Sequence, residues 1–169
     1  HEPLPVTDAL AGQLAQPVRE MFAQVQDAPD AHGALAALNR FKILTAMRRG
    51  HFGAPGINRK LEQALHLSGD WYPGRPVLIT RNDYAVRLFN GDLGVAWPAS
   101  DGNGMAVWFI SPEGELREIP PGRLPEHETA FALTIHKSQG SEFDRVLVVL
   151  PTQATPVLTR ELVYTGITR

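Results

Sequence analysis

The chain has 169 residues, 43% hydrophobic and 20% charged, enough for one sizeable core or one core with a small insertion. Its 16 Lys+Arg against 18 Asp+Glu leave a net charge of -2, which excludes a general polycationic coat and requires any contact with DNA to be a local groove. With 0 Cys it has no disulfide, thiolate catalysis or cysteine-held zinc; no signal peptide or apolar run near the ~20 residues of a bilayer crossing appears, so the cytoplasm is the expected location and no membrane partner is expected.

From Asp8 to Gln26 the apolar residues Leu10, Leu14, Val18, Met21, Phe22 and Val25 recur on one helical face, with Pro17 expected to weaken or kink the helix. Asp27–Gly33 reads as a turn, Ala34–Leu38 as a short helix and Phe41–Ala46 as a buried strand. A helix is predicted over Asn58–Leu67, closed by Ser68 and Gly69. From Trp71 the character changes to short apolar or β-rich runs at Val77–Thr80, Ala85–Phe89, Gly94–Trp97, Met105–Ile110 and Leu116–Ile119, separated by Asn-Asp, Asn-Gly-Asp, Asp-Gly-Asn-Gly and Pro-Glu-Gly turns. That spacing predicts a small antiparallel barrel. Pro120–Pro125 reads as a stiff return linker, and an α/β pattern resumes with the strand Val146–Leu150. The expected layout is an α/β domain interrupted by an inserted β module, and no internal repeat stands out.

Between Phe131 and Phe143 lie the hydroxyls of Thr134 and Ser138, the imidazole of His136, the ammonium of Lys137, the carboxylate of Glu142, and Gly140, where backbone can approach a ligand closely. That inventory suits phosphates and sugar hydroxyls. Thr134–Phe143 resembles motif V of superfamily 1 DNA helicases, Val163–Arg169 resembles motif VI, and Ile43–Gln63 resembles motif IV of the RecD branch. Tyr72–Asp83, with Leu88–Gly94 after it, is similar to the segment joining those motifs in the alpha-subunit family of bacterial exodeoxyribonuclease V. The resemblance covers residues 41–169.

The resemblance implies a RecA-like second motor domain of a helicase carrying an inserted small SH3-like β-barrel. The motor domain (2A) would comprise 1–70 with motif IV and 126–169 with motifs V and VI, and the barrel (2B) 71–125. It further implies ATP with Mg2+, held mainly by a first motor domain of the same parent chain, between the two RecA-like domains. Cleft closure would move the protein 5′-to-3′ along single-stranded DNA, in double-strand-break repair and recombination. The implied partners are single-stranded DNA and the beta and gamma subunits of exodeoxyribonuclease V.

Residue by residue, the resemblance aims Arg169 at the γ-phosphate and makes Arg48 a second phosphate contact, roles that suit a permanently charged planar donor. Arg49 competes with Arg48, because adjacent residues leaving a strand point to opposite sides. Glu142 corresponds to an acid bonded to the nucleotide ribose, with Gln139 and Gly140 beside the nucleotide, and Thr134, His136, Lys137 and Ser138 correspond to contacts with phosphates of the single strand. Structural readings stand beside these: a solvated Arg169, a hydrogen-bonding His136, and a helix-start Glu142 behind a Ser138 or Ser141 cap. Gly50, Gly53 and Gly56 read as turn geometry. Trp71, Tyr72, Tyr84, Phe89, Trp97 and Trp108 are either stacking surfaces or core, with core expected for Phe89 and Trp108, while Arg75, Arg81 and Arg87 are either further DNA contacts or a solvated face.

A hydrolase triad of His136, Ser138 and Asp144 fails for want of a nucleophile elbow. No histidine spacing suits a protein-held metal. A phosphate loop of the G-x-x-x-x-G-K-[ST] kind is absent from the sequence, so this chain alone is not expected to hydrolyse ATP. The chain opens on His1 and closes within the motif VI pattern, as a piece of a longer protein would. The alternatives are a free-standing RecD-like or Pif1-like helicase and a non-catalytic DNA or protein docking module of helicase-derived fold.

Overall fold

The computed structural model describes residues 8–50, 52–151 and 158–169, the side chains of residues 8–11 and 13 excepted, so the Leu10 side chain and His51 lie outside what is described. In chain order the elements are α1 (Asp8–Gln26), α2 (Ala31–Asn39), β1 (Lys42–Thr45), α3 (Ala54–Ala64), β2 (Pro76–Ile79), β3 (Leu93–Pro98), β4 (Met105–Ile110), β5 (Leu116–Ile119), β6 (His127–Thr129), β7 (Ala132–Thr134), β8 (Val146–Val149) and α4 (Arg160–Ile167). Single 3-10 turns lie at Pro121–Arg123 and His136–Ser138. The protein is a mixed α/β chain of two units. One runs up to Met21, through Asn39–Leu67, and from Phe131 onward; the other comprises Phe22–Leu38 and Ser68–Ala130.

α1 buries Leu14, Val18, Met21, Phe22 and Val25, the stripe that the spacing predicts. Pro17 lies inside the helix without ending it, because one missing N–H bond is outweighed by burial of the whole stripe. α2 begins at Ala31 rather than Ala34: the Asp30 carboxylate accepts the Gly33 N–H at 2.8 Å and so starts the helix inside the predicted turn. α3 likewise begins before Asn58, with Pro55 in its first turn, where no N–H is needed. It ends at Ala64 rather than at Ser68–Gly69, and His66 follows in the left-handed region at φ 56°.

In the first unit β1 pairs in parallel with β7 on one side and β8 on the other, and all four β1 residues are buried. A parallel strand covered on both faces reads as a mainly apolar run, as Phe41–Ala46 does apart from Lys42 and Thr45.

In the second unit the strands form one antiparallel sheet in the order β5-β4-β3-β2-β6. The expected barrel is corrected here: among the described residues no pairing joins β5 to β6, and the sheet does not close. Its core is Val77, Ile79, Leu88, Ala96, Val107, Phe109 and Ile119. Gly94 sits directly under Phe109, where a Cβ would fall 2.6 Å from the ring. The predicted strand Ala85–Phe89 is instead a tight turn, because the Asp83 carboxylate accepts the N–H groups of Ala85 (2.9 Å) and Val86 (3.3 Å) and competes with a ladder. Phe89, expected in the core, is 41% exposed for the same reason. Trp108 is half-buried, its Nε1 donating to the Pro98 carbonyl at 3.3 Å. β6 follows the Pro120–Pro125 linker and extends the sheet beside β2.

Candidate functional site

Parallel pairing brings Thr45, Thr134 and Val149 into register at the carboxyl edge of the first unit's sheet. In open α/β sheets ligand-binding groups gather beyond that edge. The loops after β1 and β7 both leave this edge.

The β1 loop is drawn tight by Thr45, which is fully buried: its hydroxyl donates to the Phe52 carbonyl at 2.7 Å and accepts the Met47 N–H at 3.1 Å. Gly53 approaches the Arg48–Arg49 backbone so closely that a Cβ would lie 2.7 Å from the Arg49 nitrogen. Arg48 and Arg49 consequently line one cleft of about 550 Å³, with Gly50, Arg59, Lys60 and Gln63 among its other walls. Both arginines border this cleft: β1 ends at Thr45, and a bent loop does not alternate as a strand does. The cleft also meets the start of α3, whose Gly53 cap offers no side-chain acceptor to the first-turn N–H groups. Four cationic side chains and a helix amino end make a setting for oxyanions. Gly140, Glu142 and Arg169 are not among its walls.

The β7 loop is positioned from α3. Asn58, 4% exposed, donates Nδ2 to the Ala132 carbonyl at 3.0 Å and accepts the Ala132 N–H at 2.7 Å, standing in for a neighbouring strand at the β7 edge. Sequence reasoning missed this clamp; the available signal was an amide between Ile57 and Leu61 on the buried stripe of α3. Beyond β7, Ile135 donates its N–H to the Thr45 carbonyl at 3.0 Å, and the chain turns through His136–Ser138.

Thr134 is buried, and its hydroxyl accepts the Lys137 N–H at 3.2 Å. Ser138, fully buried, donates Oγ to the Ile135 carbonyl at 2.8 Å. Both hydroxyls are therefore engaged in building the turn. His136, Gln139, Gly140 and Glu142 are exposed and Lys137 is half-buried. Gly140 has φ 87°, the left-handed conformation that turns the loop. No helix starts after it, which corrects the helix-start reading of Glu142: the Asp144 and Arg145 N–H groups bond to the carbonyls of Asn39 and Arg40 (both 3.1 Å) and lead the chain straight into β8.

α4 brings the third motif to this loop. It is capped by Thr159, whose Oγ1 accepts the Leu162 N–H at 3.2 Å. Gly166 lies against Ile135, where an added Cβ would sit 3.1 Å from Cδ1. The Phe143 N–H then bonds to the Arg169 carbonyl oxygen at 2.9 Å, which makes Arg169 a neighbour of the Glu142–Phe143 segment. The Arg169 side chain is half-exposed, with Nε on the Thr165 carbonyl at 3.2 Å. Beneath Phe143 lies Lys42, whose Nζ is 5.5 Å from the ring centroid. Burial pulls the Lys42 ammonium down to a pKa of about 8.

In the second unit Arg75 is engaged locally: its guanidinium lies 4.8 Å from the Trp71 ring centre and its Nε donates to Thr129 Oγ1 at 3.1 Å. Arg81 and Arg87 are exposed. Among the described residues no three His, Cys, Asp or Glu side chains are placed to hold a metal ion, and no helix is long and apolar enough to cross a membrane.

Residues 129–169 match the family of UvrD-like helicase C-terminal domains. Over 78% of its length the chain is 45% identical to the RecBCD enzyme subunit RecD of Haemophilus influenzae, and over 83% it is 43% identical to that of Mycolicibacterium smegmatis. It is also 36% identical, over 76% of its length, to the ATP-dependent RecD2 DNA helicase of Deinococcus radiodurans. The chain spans only 20%, 25% and 18% of these three proteins. Among solved structures, the Pif1 helicase from Bacteroides in complex with ADP-AlF3 and ssDNA aligns with a TM-score of 0.50, over 89% of this chain and 46% of that one, at 14% identity, a likeness of fold. Homology to RecD over about four-fifths of the chain, with the helicase match at its carboxyl end, makes this chain a C-terminal helicase domain of the RecD family.

Proposed function

We propose that the chain is the RecA-like second motor domain, interrupted by an inserted five-stranded antiparallel sheet, of an ATP-dependent 5′-to-3′ DNA helicase that processes double-strand ends. The observation that carries the reading is the bond between the Phe143 N–H and the Arg169 carbonyl (2.9 Å), which ties the motif V loop to the end of motif VI. Arg169 is a permanently charged group that stabilises charge developing during phosphoryl transfer, and Arg48 contributes from the β1 loop. Glu142 accepts a ribose hydroxyl, with Gln139 and the Gly140 backbone beside the nucleotide. The cluster of Arg48, Arg49, Arg59 and Lys60 around one cleft fits an oxyanion such as a nucleotide phosphate. ATP with Mg2+, held mainly by a first motor domain, supplies the phosphoanhydride bond whose cleavage drives the cycle.

On the DNA side, His136 and Lys137 hold strand phosphates, while Thr134 and Ser138 fix the turn that presents them. His136 and Glu142 belong to one short loop, so a shift of either end on nucleotide binding moves the other without further machinery. The likeness to RecBCD enzyme subunits, 45% and 43% identical, supports a subunit that works with the beta and gamma chains of exodeoxyribonuclease V.

The DNA side is tested by single-strand binding across a salt series. The double variant His136→Ala, Lys137→Ala should bind more weakly, with a slope of log affinity against log salt shallower by about 0.7, the value for one lost cation on a single strand. An unchanged slope would assign both residues a structural role.

A further inference from the structure

The turn between β2 and β3 is built to hold two aromatic rings outward. Asp83 and Leu88 exchange both backbone hydrogen bonds, at 2.7 and 3.0 Å, and the Asp83 carboxylate takes up the N–H groups of Ala85 and Val86. Leu88 anchors the turn in the sheet core, where Val86 packs beside it. From β5, Arg117 donates to the carbonyls of Val86 (2.6 Å) and Arg87 (2.9 Å), and the Asp92 carboxylate accepts the Phe89 N–H at 2.8 Å. Arg87 is held at φ 50°, a conformation that a non-glycine residue keeps only where its surroundings impose it, and such outliers gather at functional sites.

What this scaffold displays is Tyr84, 77% exposed, and Phe89, 41% exposed, with ring centroids 5.8 Å apart and planes at 73°. Arg81 and Arg87, both exposed, belong to the same turn. Single exposed apolar residues need no explanation. A paired set on a turn locked by side-chain hydrogen bonds is different, because its ordering is already complete before anything binds.

We propose that the Thr80–Asp92 turn is a platform for single-stranded nucleic acid, on which Tyr84 and Phe89 stack against bases while Arg81 and Arg87 contact backbone phosphates. Every base has a π-face, so such stacking is tolerant of sequence, as a protein that travels along a strand requires. The exposed Arg81 and Arg87 of the same turn supply the matching charge, which a purely apolar docking partner would not need. The platform is a contact separate from the motif V loop, and it rests on the proposed function for the choice of DNA as the strand.

The test is anisotropy of a labelled mixed-sequence single strand and of an abasic strand of equal length, titrated with the chain. Tyr84→Ala should weaken binding to the normal strand on the order of tenfold, Tyr84→Phe should restore it, and neither should move the abasic strand, which has no bases to stack. Wild-type affinity in the double variant Tyr84→Ala, Phe89→Ala, or an equal loss on both strands, overturns the platform. If that double variant binds normally while His136→Ala, Lys137→Ala binds weakly, the platform fails and the motif V grip stands. Weak binding in the first and normal binding in the second retains the platform and removes the grip.

Discussion

Lys42 occupies the first position of β1 with 1% of its surface exposed, an unusual place for an ammonium group. Burial lowers its pKa to about 8, whereas the unfolded chain holds the proton to near 10.4. The folded state therefore binds fewer protons between those values, so stability rises as pH climbs from about 8 to 10.4, and the cost of the buried charge is fully present below pH 8. Lys42→Met should be more stable than the parent at pH 7 by up to roughly 3 kcal/mol, with the gap closing by pH 10. Urea unfolding across that range checks it, and a gap that does not vary with pH contradicts it. At this scale the sequence was partly legible. The polar loop itself was readable, and His136, Gln139, Gly140 and Glu142 stand exposed on it. Lys42 was not legible, because a lysine reads as solvated until the packing of a second element closes over it, and Asn58 left only its place on the apolar stripe of α3 as a signal.

Among the elements, α4 is closely seated, since Gly166 leaves Ile135 only 3.1 Å from where a Cβ would stand. Gly166→Val adds branched bulk at that contact and should destabilise the chain by about 1–3 kcal/mol. It should also weaken hydrogen-exchange protection of the Phe143 amide, whose acceptor is the residue that ends the segment after α4. Wild-type stability with unchanged protection would mean that α4 does not depend on this seat. Elements with their own local signal were readable: Met105–Ile110 and Leu116–Ile119 coincide with β4 and β5, each bounded by turn residues. Ala85–Phe89 misled because an aspartate side chain captures the backbone there. β6 escaped because His127, Glu128 and Thr129 are all half-buried and show no alternation. Whether a sheet closes depends on pairing between distant edges, which local periodicity does not encode.

For the whole molecule, the chain leaves the first unit after Met21 and again after Leu67, re-entering it at Asn39 and at Phe131. The switch of periodicity near Trp71 signals the second departure, whereas nothing in the helical stretch around Phe22 signals the first. The return point was less legible, because the segment after the proline-rich linker still adds β6 to the inserted sheet before β7 joins the parallel one. The central proposal is that this chain supplies a nucleotide-sensing arginine to a DNA-driven motor. Its most direct test is ATP hydrolysis by the intact parent protein, with and without single-stranded DNA, for wild type and Arg169→Ala. Turnover stimulated by DNA that falls on the order of 10³-fold in the variant, with single-strand affinity retained, is the predicted result. Unchanged turnover in Arg169→Ala, or no dependence on DNA in the wild type, would contradict it.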